Sequence, residues 1–379
     1  MPAIAYLSSV PVGVRTSGPR RILAIDHRML SSLTEMARVL TGSGVDLHLL
    51  APHHRFTDAA PGLREVDDRD LTFCVGDAPA DSSALAAYDG VYALHRASHH
   101  WLMDSGVPYV VLSEFTPAIR RAMVVTRVSA VDRARIAFGE WRREPAYRTM
   151  IRRARGVQFN GVVAQRHYGR FARHSIVFND SRITREDLAA ARRAPKRGTR
   201  SPLTVAVSGR WAEAKGVRAV PALARALEHE ETAAQIEMYG GGVLEPELRR
   251  AQGEALELVG FLDFESEWKP RMREHVDLLF VPHHQADPSC TYFEALGCGV
   301  PILCFDNATS RRIVADSGAG WVIPRSPDAA ARLIADLAAH PAKVVEASAR
   351  ALDYMASRTF EDVTRRRAEH LLDVFDLAG

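Results

Sequence analysis

Residues 276–306 read VDLLFVPHHQADPSCTYFEALGCGVPILCFD. The apolar run VDLLFVP ends at Pro282, HHQADP has the composition of a loop, SCTYFEALGCG is helix-forming, and VPILCFD is apolar again. These run lengths predict strand, loop, short helix and strand, with the helix beginning near Ser289 and stopping at Gly297 or Gly299. Both strands are continuously apolar, the pattern of a parallel sheet covered on both faces. One residue interrupts it. Glu294 stands between Phe293 and Ala295 on a helix that reads as buried, and a buried carboxylate without hydrogen-bond donors is costly. A ligand diol would supply two.

The same unit recurs in both directions along the chain. Toward the C-terminus GWVIP (320–324) is a further strand, and toward the N-terminus so are LELVGF (256–261), QIEMYGG (235–241) and LTVAVSG (203–209). ARRAPKRGTRSP (191–202), with its prolines, glycine and five basic residues, reads as an exposed linker. Before it the alternation is repeated: AIAYLSS (3–9), VDLHLLAP (45–52), GVYALH (90–95), PYVVLSEF (108–115), GVQFN (156–160) and HSIVFN (174–179) are strands. HRMLSSLTEMARVLTGSG is one of the helical stretches between them, with apolar residues at 3 to 4 spacing and a glycine-marked end. The expected fold class is α/β, two Rossmann-like doubly wound domains facing a cleft: an N-terminal domain over 1–193 and a C-terminal domain over 203–358. An amphipathic helix is expected over 359–379. Ligands of such sheets bind beyond the carboxyl ends of the strands, which directs attention to the loops that follow them.

Bulk properties agree with two cores and narrow the class. The chain has 379 residues, more than one core usually holds. Its 49 basic and 46 acidic residues are interspersed and leave a net charge of +3, which does not point to nucleic acid. No stretch reaches the length of an apolar membrane span, and MPAIAYLSSVPVG lacks the features of a signal peptide. A cytoplasmic protein is expected, with peripheral membrane contact neither required nor forbidden. Cys74, Cys290, Cys298 and Cys304 show no metal spacing and are expected to be buried free thiols.

Several strand ends carry chemistry. In VAVSGRWAEAKGV (205–217) the strand ends at Ser208 and Gly209, and Arg210 and Lys215 in the following loop could meet one phosphate at a helix start. The alternative is an exposed loop with two solvated cations. Gly240 and Gly241 begin a glycine triplet that lets backbone approach a ligand, or serves as a plain turn. Phe261 and Leu262 follow Gly260 where a flat heterocycle could rest. The amides of Ser289, Cys290 and Thr291 would face the same region from the helix start. Asp68 and Asp70 in DDRD mimic a metal signature, but the surrounding charge makes a solvated turn the better reading, and no metal is inferred.

Taken in order, SGRW-x3-KG, YGGG, LVGF and DPSCTYFEALGCGVPIL resemble the C-terminal half of the retaining glycosyltransferases of the GT-B fold, family 4. The resemblance covers about residues 203–325 well; the first half matches only as a pattern of strands. It implies a metal-independent enzyme that moves a sugar from a nucleotide diphosphate donor, of UDP or GDP type, to a hydroxyl acceptor. It implies that Arg210 and Lys215 bind the diphosphate and that Glu294 holds the ribose. No cofactor beyond this co-substrate is implied. By the same likeness the C-terminal helix crosses back to the first domain.

The sequence departs from the family at three places. The family pattern is Glu-x7-Glu, and Ala286 stands where the first Glu belongs, with Asp287 one residue later. Either Asp287 supplies that carboxylate near the donor sugar, or the loop is built differently. The family histidine beside the anomeric carbon is absent from VVLSEFT, where Glu114 could orient an acceptor hydroxyl or simply end the strand. His95, with His99 and His100 a turn further on, is the best histidine candidate; a satisfied structural histidine is the alternative. Gly13 and Gly18 fall in SSVPVGVRTSGPRR, where the family carries glycines near the diphosphate, though no adjacent pair is present. A sugar-nucleotide epimerase on the same fold, or a non-catalytic partner subunit, are the rivals. The Ala/Arg-rich composition hints at antibiotic or cell-envelope glycosides.

Overall fold

The alternating strands and helices resolve into two units, one made of Met1–Pro117, Ala134–Phe178 and Glu361–Gly379, the other of Ala118–Arg133 and Asn179–Phe360. The structure is a computed structural model and describes residues 1–57, 62–79, 81–124, 129–194 and 201–377.

The strands of the first unit are β1 (Ala3–Leu7), β2 (Val12–Ser17), β3 (Arg20–Asp26), β4 (Asp46–Ala51), β5 (His53–Arg55), β6 (Leu63–Asp67), β7 (Cys74–Asp77), β8 (Gly90–Leu94), β9 (Tyr109–Ser113), β10 (Gly156–Asn160) and β11 (Ser175–Phe178). Seven form a parallel sheet in the order β11-β10-β9-β8-β1-β4-β7. Its run reverses between β1 and β8, the doubly wound arrangement that the continuous apolar strands predict. One face buries Ile4, Leu47, Tyr92 and Val110, and the other Ala5, Val91, Val111 and Phe159. The helix His27–Gly42 covers the first face with Leu33, Met36, Ala37 and Leu40. It starts at Asp26, whose Oδ1 accepts from the amides of Arg28 and Met29 at 3.0 Å each.

In the second unit β12 (Leu203–Arg210), β13 (Ala234–Gly241), β14 (Leu256–Gly260), β15 (Leu278–Val281), β16 (Ile302–Phe305) and β17 (Gly320–Ile323) form a parallel sheet in the order β14-β13-β12-β15-β16-β17. The run reverses between β12 and β15, the switch point where such sheets open a ligand crevice. Val205, Ile236 and Leu278 are buried on one face, and Ala206, Leu279 and Ile302 on the other.

Three expectations are corrected. The chain enters the second unit at Asn179, ahead of the basic stretch 191–202, of which 195–200 lie outside the described residues. The helix Arg185–Arg193 belongs there because Leu188 packs with Trp268 and Leu296, and Arg192 donates to Leu352 O at 3.3 Å. The loop SSVPVGVRTSGPRR is a hairpin of β2 and β3 turning at Gly18, which has φ +58°, and it joins β5 and β6 in a separate four-stranded sheet. All four cysteines are free, but only Cys298 and Cys304 are buried; Cys74 is exposed and Cys290 half-buried.

The last helix, Phe360–Val374, lies almost wholly in the first unit. Val363, Ala368, Leu371 and Phe375 pack with Tyr92 and Val110. Arg367 is buried among them, donating from Nη2 to Tyr92 OH at 2.9 Å and from Nε to Gln158 Oε1 at 3.2 Å.

Candidate functional site

The loops after β12 and β15 meet at the switch point. Gly216, in the left-handed region at φ +67°, lies against Pro282 so closely that an added Cβ would fall 1.8 Å from its carbonyl oxygen. This contact carries Lys215 to the end of β15, where its Nζ donates to Asp287 Oδ2 at 2.9 Å. Arg210, the last residue of β12, is exposed and has no ion-pair partner among the described residues. The loop 283–287 is fastened from its far side: Asn307 Nδ2 donates to His283 O at 3.2 Å, Thr309 Oγ1 to Ala286 O at 2.9 Å, and Arg325 Nη2 to His284 O at 2.9 Å. Ala286 is thus held by its backbone, and Asp287 brings the carboxylate. Burial, reinforced by the charge of Lys215, pushes the His283 imidazole down to about 3, so it is neutral at ordinary pH. Its Nδ1 stands 3.6 Å from Asp287 Oδ1, and neither atom has a hydrogen bond among the described residues.

Glu294 is 3% exposed on the helix Thr291–Gly297. Its partner is Arg182, whose Nε donates to Oε1 at 2.7 Å. The guanidinium carbon lies 3.3 Å from the centre of the Phe264 ring, Phe264 stacks on Trp268 at 5.1 Å, and Trp268 Nε1 donates to Ser208 Oγ at 2.8 Å. Burial works against the charge of Arg182, but Glu294 more than offsets it and holds the guanidinium pKa above its ordinary value. Sequence reasoning missed Arg182, Phe264, Trp268 and His283. Only the His283–His284 doublet after a strand was a usable signal; Arg182 lies in NDSRIT, which has no apolar period or motif.

Other candidates of the second unit fall at further strand ends and at the helix start, with different roles. Gly240, at φ +127°, faces Gly209 so that a Cβ would meet its carbonyl oxygen at 2.1 Å, and Gly241 accepts from the Trp211 amide at 2.8 Å. Close backbone packing between β12 and β13 is reason enough for a glycine at 240. Phe261 is 83% exposed just past β14, beside the half-buried Leu262. The helix starts at Thr291, two residues later than expected, and the Ser289 amide is taken by Asp287 O at 2.9 Å. Ser289 is therefore corrected to a loop residue, leaving Cys290 and Thr291 at the helix start.

In the first unit His95 is 8% exposed and both ring nitrogens are bonded: Nε2 to Tyr147 O at 3.0 Å and Nδ1 to Ser113 Oγ at 2.9 Å. A carbonyl only accepts, so Nε2 carries the proton and Nδ1 accepts from the hydroxyl. Tyr147 and Tyr168 pack edge-on against the ring. His95 is corrected to the structural alternative. Glu114 stands at the end of β9 and accepts from Asn160 Nδ2 at 2.9 Å. Gly13 lies within β2, where a Cβ would come 2.8 Å from Phe56, so packing and not a ligand loop accounts for it. Asp68 pairs with Arg21 at 2.9 Å. Among the described residues no group of three or more His, Cys, Asp or Glu is placed to hold a metal, and no helix is long and apolar enough to cross a membrane.

A separate depression of about 510 Å³ opens at the ends of β16 and β17, lined by Asp306, Asn307, Arg311 and Arg325 together with His284 and Ala286. It shares with the residues above His284 and Ala286 of the loop 283–287, and Asn307 and Arg325, which fasten that loop. The ion pair of Lys215 and Asp287, with His283 beside it, lies instead between the loops that follow β12 and β15.

The family profile described as Glycosyl transferases group 1 matches residues 202–340. Comparison with curated proteins finds no match in sequence. Among solved structures the chain is similar to sucrose-phosphate synthase from Thermosynechococcus elongatus, with 13% identity and a TM-score of 0.65 over 99% of this chain and 100% of that one. It is similar to Anabaena Alr3699/HepE in complex with UDP, with 14% identity and a TM-score of 0.62 over 98% and 100%. A glycosyltransferase from Rickettsia africae ESF-5 gives 10% identity and a TM-score of 0.67 over 98% of each chain. At such identities the likeness is one of fold.

Proposed function

We propose that the protein, whose residues 202–340 match the group 1 glycosyltransferase profile and whose fold is that of GT-B structures, moves a sugar from a nucleoside diphosphate donor to a hydroxyl acceptor with retention of anomeric configuration. Arg210 and Lys215 offset the charge that grows on the leaving diphosphate, the point at which preorganised electrostatics act most strongly. Glu294 receives the ribose hydroxyls. Asp287 and the neutral His283 border the donor sugar. The bond from the anomeric carbon to the diphosphate oxygen breaks as the acceptor oxygen bonds on the same face, and the acceptor proton passes to the diphosphate, so no protein nucleophile is required. UDP is the first nucleotide to try, since Alr3699/HepE is described with it. The reaction needs no metal, and the free thiols fit a reducing cytoplasm. Antibiotic or cell-envelope glycosides are the products suggested by composition.

One observation carries this function: Gly216 against Pro282 brings Lys215 to Asp287 at the switch point, with Arg210 exposed at the end of β12. The test is turnover of a panel of UDP- and GDP-sugars by the full chain, with and without EDTA. Arg210→Ala and Lys215→Ala are expected to lower kcat about a hundredfold or more while the proteins stay folded. Proton NMR of the product anomer reads the stereochemistry. A folded wild-type protein that turns over no sugar nucleotide and binds no nucleoside diphosphate would refute it.

A further inference from the structure

The ribose carboxylate is not left to orient itself. Every residue from Tyr292 to Gly297 is buried, so Glu294 is presented from a helix that cannot turn to suit a ligand. Only Oε1 is engaged, by Arg182 Nε at 2.7 Å; Oε2 has no hydrogen bond among the described residues. Arg182 donates from Nε alone, so both terminal amino groups of its fork are likewise without acceptors among the described residues. The guanidinium carbon sits over the Phe264 ring at 3.3 Å from its centre, Phe264 stacks on Trp268, and Trp268 is tied to Ser208, two residues before Arg210. A continuous stack therefore joins the carboxylate to the strand end that carries the phosphate-binding arginine.

Resting on the reading of Glu294 as the ribose ligand, we infer that Arg182 is the positioning residue of the donor nucleoside. It fixes one carboxylate oxygen so that the other points its lone pairs at the ribose diol, and its amino groups stand ready to donate to the same hydroxyl oxygens. A diol offers two O–H donors and four lone pairs, and an Arg–carboxylate pair with one free acceptor and free amino groups satisfies both sides. Lysine would not serve, because an ammonium is neither planar nor forked.

The test is calorimetric binding of UDP and GDP and of dUDP and dGDP to the full chain. The wild-type protein is expected to prefer the ribonucleotide by about tenfold or more, since a site built to bond a hydroxyl rejects its absence. Arg182→Met keeps bulk over Phe264 and removes charge and donors; it should compress that preference to about threefold or less by weakening the ribonucleotide alone. Arg182→Lys should compress it as well. If the Met variant fails to fold, Phe264→Leu removes the shelf, leaves both charges, and is expected to shrink the same ratio. A variant that keeps the wild-type ratio, or loses both nucleotides equally, overturns the positioning role while Glu294 remains the ribose ligand. A wild-type protein that binds nucleotides without preference removes the ribose role of Glu294, and the inference with it. Failure to bind any nucleoside diphosphate removes the proposed function as well.

Discussion

Lys215 donates to Asp287 at 2.9 Å with both side chains largely buried, so a diphosphate that recruits Lys215 competes with a carboxylate already in place. Asp287→Ala is therefore expected to tighten bare UDP by about fivefold, roughly 1 kcal/mol, and to slow turnover of the sugar nucleotide; calorimetry and initial rates separate the two effects. Weaker UDP binding in the variant would show that Asp287 supports the diphosphate instead of contending for it. At this scale much of the candidate site was legible. Arg210, Lys215 and Glu294 could be named because each follows a strand with a recognisable glycine or helix stop. His95 looked equally suitable in sequence, where nothing reveals that Ser113 and Tyr147 occupy both nitrogens. Arg182 was invisible for the opposite reason, its value lying in Phe264 and Glu294, which are distant in the chain.

Among elements, the tightest constraint is the approach of the β12 loop to the end of β15. Gly216→Ala would place a Cβ 1.8 Å from Pro282 O at φ +67°. The expected cost is about 3 kcal/mol, from the left-handed backbone and the clash together, with turnover falling further because Lys215 shifts with the loop. Urea midpoints and rates on the same preparation check both, and an unchanged midpoint would mean that the loops yield easily. The parallel strands were legible from their unbroken apolar runs, and both sheets follow from right-handed crossovers between them. The β2–β3 hairpin was not, because its glycines sit where a family resemblance expects a loop, and the alternation in VGVRTS is too short to outweigh that expectation. The helix start slipped from Ser289 to Thr291 because Asp287 O captures the Ser289 amide, a local turn that propensity does not register.

Across the molecule, stability should depend on acidity through histidines kept neutral by burial. Burial holds the His370 imidazole down to about 4, with His174 adding to the effect and Asp373 opposing it. The unfolded chain takes up that proton near 6.5, so between 6.5 and about 4 it binds one more proton than the folded state. Stability is full above 6.5, falls as pH drops through this window by about 3 kcal/mol for His370 alone, and levels off below it. His283, pushed to about 3, extends the decline. Melting temperatures from pH 7.5 to 4 should show the loss, and His370→Gln should flatten part of it; an identical slope in the variant would exonerate this histidine. His370 rides on the helix that returns to the first unit, where Phe375 fills the space over Gly90 and Val374 that beside Gly156. A ribosome makes those residues only after the whole of Asn179–Phe360. The strands of the first unit must therefore wait, with an apolar face uncovered, until the segment Asn179–Phe360 has been made.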